Sequence, residues 1–64
     1  MPKIRRGGYL FLTWIGDHPP RHAHVVRDGR RVLKWNLDQW QPMAGTADRR
    51  LLELIRQLDD EGRL

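Results

Sequence analysis

Apolar positions along this 64-residue chain fall into runs with two different periods. The first run, Gly8-Tyr9-Leu10-Phe11-Leu12-Thr13-Trp14-Ile15, is rich in aromatic and branched residues and is preceded and followed by glycine, which predicts a strand. Both of its faces are apolar, as in a strand that is central or covered on two sides. Residues 22–27 and 30–37 flank Asp28-Gly29, the two-residue signature of a type I′ hairpin. Leu51, Leu54, Ile55 and Leu58 then recur at helical spacing. Thr46 suits the N-cap of that helix, Asp48 its first turn and Gly62 its end. Residues 40–45 read as a loop. The predicted order is β-β-β-α, an α+β fold with a small three-stranded antiparallel sheet and one C-terminal helix. It forms a single domain over residues 1–64, with a basic N-terminal arm at about 1–7 that serves as a tail or an edge extension.

The turn sets an expected register for the hairpin. Closing it at Asp28-Gly29 opposes His22 to Trp35, His24 to Leu33 and Val26 to Arg31. Side chains alternate between faces, so His22, His24, Leu33, Trp35 and Leu37 are expected to share the face that packs on the helix. Ala23, Val25, Arg27, Arg30, Val32 and Lys34 would then share the other, basic face. Trp35 is expected in the core, where its large area is needed. Trp40, beside Pro42, is expected to be the exposed tryptophan.

Composition narrows the class. A chain this short buries only about 60% of its unfolded surface. It has no cysteine, so neither disulfides nor thiolate metal sites supplement the core. Oligomerisation or a partner subunit is a common remedy, and a homo-oligomer is one expectation here. No signal-like leader and no run of membrane-spanning length is present, which points to a cytoplasmic protein with no membrane partner. The net charge of +4 is unevenly placed. Residues 1–34 carry eight Lys/Arg against two Asp, whereas residues 35–64 carry four Arg against six Asp/Glu. A basic first half points to RNA, DNA or an acidic protein as partner. The candidate contacts are Arg5, Arg6, Arg21, Arg27, Arg30, Arg31 and Lys34. The acidic run Asp59-Asp60-Glu61 reads as a solvated, fraying helix end.

All three histidines lie within Gly16-Asp17-His18-Pro19-Pro20-Arg21-His22-Ala23-His24-Val25. Imidazole donates, accepts or ligates near neutral pH. His18, His22 and His24 have a spacing that suits one zinc with an open position, but only Asp17 is close enough in sequence to support a ligand. No cofactor is expected. His22 or His24 is also placed to act as general acid or base in metal-independent cleavage of RNA, whose 2′-hydroxyl is an internal nucleophile. Arg21, Arg27 or Arg31 would then hold the phosphate charge. Alternatively the histidines hydrogen-bond locally and order the Pro-Pro turn.

The same run, followed by a hairpin and one helix, resembles the family labelled domain of unknown function 4160, over residues 8 to about 58. The resemblance implies a small bacterial or phage protein in a toxin–antitoxin-like arrangement. It also implies a small neighbouring partner protein of the type labelled domain of unknown function 2442. The order of Gly16-Asp17-His18, basic hairpin and Ala44-Gly45-Thr46 is loosely similar to HicA-type ribonuclease toxins, although their N-terminal helix and Gly-Ser-x-His pattern are missing here. Two functions are therefore carried forward. One is a small basic component that binds nucleic acid or a partner through the hairpin and the His-Pro-Pro-x-His-x-His segment. The other is a metal-independent ribonuclease.

Overall fold

The computed structural model describes residues 3–14 and 19–64. Gly7 and Gly8 both take positive φ (62° and 84°), so the chain reverses in two residues between β1 (Lys3–Arg6) and β2 (Tyr9–Leu12). Asp28 and Gly29 do the same at 53° and 75°, joining β3 (His22–Arg27) to β4 (Arg30–Asn36). These are the backbone values that a type I′ turn needs. After β4 the Asn36 side-chain oxygen accepts from the Gln39 backbone N–H at 2.8 Å, and the chain turns into β5 (Gln41–Gly45). Each strand pairs antiparallel with its sequence neighbour, giving the order β1-β2-β3-β4-β5.

The sheet thus has five strands, which corrects the expected three. Both additions are edge strands. Lys3–Arg6 is mostly cationic and has no apolar run to announce it. Gln41-Pro42-Met43-Ala44-Gly45, expected as a loop, is exposed throughout and has no alternation. Pro42 is tolerated because an edge strand leaves one side of its backbone unpaired.

One helix, α1 (Arg49–Asp60), covers one face. Its N-cap is Asp48 and not Thr46: the Asp48 carboxylate accepts from the Leu51 backbone N–H at 2.8 Å. At the other end Gly62, at φ 72°, donates to the Asp59 carbonyl and Arg63 to the Leu58 carbonyl, the paired bonds of a Schellman stop. Leu51, Ile55 and Leu58 pack on Phe11, Ala23, Val25, Leu33, Trp35 and Leu37. Trp40, expected in solvent, packs against this core, with its ring 5.3 Å from that of Trp35. Trp14 is the exposed one, at 42%.

The expected faces of the hairpin hold for Leu33, Trp35 and Lys34 in β4 and fail for Val32 and for β3. Near the turn Val26 opposes Arg31, as the register required. Then Val32 is accommodated as an extra residue, and Val25 opposes Leu33, His24 opposes Lys34, Ala23 opposes Trp35 and His22 opposes Asn36. This bulge shifts pairing by one residue, and a one-residue shift exchanges faces. Val32 packs beside Leu33 on the core, so β3 presents Ala23 and Val25 there and turns its histidines away. Gly45 lets β5 approach the bulge, because a Cβ at that residue would lie 2.3 Å from the Val32 carbonyl oxygen.

Candidate nucleic-acid interface

Three cross-strand rows build the sheet face that the helix leaves open. Lys3, Leu12, His24, Lys34 and Ala44 form a row across all five strands. Arg5, Leu10, Val26 and Arg31 form the next, across four. His22, Asn36 and Gln41 form the third. Residues opposed in this way share a face, with Cβ atoms roughly 5 Å apart. Lys3, Arg5, Arg31 and Lys34 therefore ring a floor of half-buried Leu10, Leu12 and Val26. These rows contain no carboxylate. Among the described residues, every Asp and Glu lies in a turn or in the helix and its caps.

An aromatic strip crosses the same surface. The Trp14 ring meets that of His24 edge-on at 4.6 Å, and His24 meets His22 at 5.2 Å. His22 Nδ1 donates to the Pro20 carbonyl at 2.8 Å. That bond selects the tautomer in which Nε2 is the basic nitrogen of the neutral ring. The histidines expected at the margin of the core are thus part of the open face.

The cations expected to bind nucleic acid divide into three groups. Arg5, Arg31 and Lys34 stand on the open face. Arg27 and Arg30 oppose one another beside the Asp28-Gly29 turn, with the Arg27 guanidinium 5.4 Å from the Tyr9 ring centre. Arg6 and Arg21 are committed elsewhere. Arg6 forks onto Glu61 at 2.8 and 3.0 Å. The Arg21 backbone N–H and Nε both donate to Asp38, at 2.9 and 3.1 Å, and its Nη1 lies 3.5 Å from Asp59. The backbone and then the side chain of Arg21 hold the Asp38 carboxyl below its usual range, and the Arg6 fork does the same for Glu61. Asp59 and Glu61, expected to be merely solvated, thus latch the helix end to the sheet.

His18, the third member of the expected metal triad, lies outside the described residues, as do Gly16 and Asp17 of the motif. Among the described residues, no group of three or more His, Asp or Glu is arranged to hold a metal ion. No described helix is long and apolar enough to cross a membrane. No protein-family model, curated protein or solved structure matches this chain.

Lys3 is the member of this surface that sequence reasoning missed, and Trp14, one of three tryptophans able to stack on bases, reads in sequence first as a core residue. A signal existed for the first: Gly7-Gly8 between two extended runs is itself a hairpin signature. It would have placed Lys3 and Arg5 on one face of a strand. For Trp14 the signal was ambiguous, because both sides of its run are apolar.

Proposed function

We propose that this protein is a single-stranded nucleic-acid-binding domain whose interface is the open face of the sheet. The observation that supports this reading best is the juxtaposition of Lys3, Lys34, Arg5 and Arg31 with the Trp14–His24–His22 strip on one surface. Cations take phosphates, and rings stack on bases of any identity. A duplex hides those base faces, whereas a single strand presents them. A second copy docked face to face would set the four cations against their own equivalents, which opposes self-association through this surface. The resemblance carried by Gly16 to Val25 adds the expectation that such binding serves a toxin–antitoxin-like module with a small protein partner.

The ring geometry opposes a cleavage in which His22 and His24 act together as acid and base; cleavage by a single histidine is read out in the assay below. An in-line attack on phosphorus needs proton acceptor and donor on opposite sides of the phosphate. The His22 and His24 rings touch at 5.2 Å, and no phosphate fits between them.

The test is a salt titration of binding to a fluorescent single-stranded RNA or DNA, with Lys3, Arg5, Arg31 and Lys34 all changed to Gln. If each holds one phosphate, the slope of log affinity against log salt should fall by about 3 units. The melting temperature should barely move. An unchanged slope rejects this interface. The RNA should also be recovered intact; cleavage that disappears in His22→Gln would assign the ribonuclease function instead.

A further inference from the structure

At one end of the open face the tips of two hairpins enclose a cleft of about 380 Å³. The Gly7-Gly8 turn and the Asp28-Gly29 turn lie side by side there, because Leu10 opposes Val26. Leu10 and Val26 supply an apolar floor. Arg5, Tyr9, Arg27 and Asp28 complete its lining, with the Arg27 guanidinium 5.4 Å from the Tyr9 ring centre. A Cβ built on Gly8 or Gly29 would meet nothing within 4 Å, so the mouth is open and walled there by bare backbone.

We propose that this cleft is a base slot that takes guanine. An apolar floor between donors suits a flat heterocycle, and the Asp28 carboxylate repels a bare phosphate. Guanine alone among the four common bases offers O6 and N7 to an arginine fork while its N1–H and amino group face an acceptor. Adenine presents an amino donor where guanine has O6, which opposes the arginines, and it has no N1–H for Asp28. Pyrimidines lack the O6/N7 pair. The inference rests on the single-strand reading in one respect: the base arrives within a strand laid on the cationic face, the slot lying at the end of the Arg5–Leu10–Val26–Arg31 row.

The experiment measures affinity for four uridine octamers that differ only in one central residue: G, A, C or U. The guanine octamer should bind about ten-fold more tightly than the others, the discrimination expected of one bidentate pair. Asp28→Asn keeps the turn, since Asn-Gly is the preferred type I′ pair. It should erase the preference without weakening the all-uridine octamer. Val26→Trp, which fills the slot, should also erase the preference, whatever it does to the all-uridine octamer, with circular dichroism showing each variant folded. Equal affinity for all four octamers, or a guanine preference that survives both variants, overturns the slot and leaves the interface standing. GMP and AMP serve as a separate arm. Binding of GMP but not AMP by a protein that binds no octamer would keep the slot and reject the interface, the source being a free nucleotide. Binding of neither octamers nor GMP rejects both.

Discussion

Val25 and His24 are neighbours in β3, yet they lie in opposite chemistries. Val25 is fully buried under the helix among Phe11, Leu33 and Ile55, and His24 sits between Leu12 and Lys34 with an exposed tryptophan against its edge. The covered face is apolar throughout and is closed by the Arg6–Glu61 and Arg21–Asp38 pairs at its margin. On the open face, cations and rings surround an apolar floor. The contrast separates two roles that tryptophan, arginine and leucine play in so small a domain. Where the helix covers them they supply burial that the fold needs. Where nothing covers them, the same residue types make up the surface proposed for recognition. Position relative to the helix assigns the role, and residue type alone does not.

Exchanging one tryptophan from each face, Trp35 and Trp14, for alanine would break this contrast most directly. Trp35, 4% exposed at the centre of the covered face, should cost roughly 3–5 kcal/mol when replaced by Ala, read from urea unfolding. That is comparable to the whole stability of a domain this size. A mutant that unfolds near the wild-type midpoint would mean that the helix does not cover this face. Trp14→Ala should be its mirror image. Its unfolding midpoint should barely change, while binding to a single-stranded oligonucleotide weakens by about 1–3 kcal/mol from the lost stacking. A large stability loss with unaltered binding would move Trp14 from the recognition surface into the fold.

The latches at the margin give the smallest effect and a definite sign. Asp38 and Glu61 are both held below the usual carboxylate range by their arginines. A carboxyl whose folded value is depressed contributes stability above its unfolded value and loses that contribution as pH falls through the folded one. Stability should therefore decline as the solution is acidified below the usual carboxylate range. Asp38→Asn with Glu61→Gln should flatten that decline, measured as melting temperature against pH. Because both groups are exposed, added salt should shrink the effect as well. An acid limb unchanged in the double mutant would place the pH dependence elsewhere.

Much of the fold was legible because its signals are local. Asp28-Gly29 encodes a turn through backbone angles that few residues adopt, and Leu51, Ile55 and Leu58 encode a helix face through spacing. The two edge strands were harder to read, since one is cationic and the other contains Pro42 and no buried residue. The charge asymmetry between the two halves of the chain was plain, but not that Arg6 and Arg21 of the basic half pair with Glu61, Asp38 and Asp59 of the acidic one. Nor was it plain which cations of the basic half face outward together.

By itself the sequence determined the central hairpin, the helix, the large apolar residues of β4 and the charge asymmetry, all properties carried by neighbours within a few residues of one another. Tertiary structure decided which face of β3 is the core. The deciding feature is Val32: packing it beside Leu33 inserts an extra residue opposite the Val25–Val26 step. No local rule demands that bulge. It packs Val32 against the core cluster that includes Leu51 and Ile55, and it turns His22 and His24 outward to join Lys3, Lys34 and Trp14 from separate parts of the chain. Side-chain alternation makes the outcome all or none, so a single residue of register separates a histidine at the core margin from a histidine on the open face.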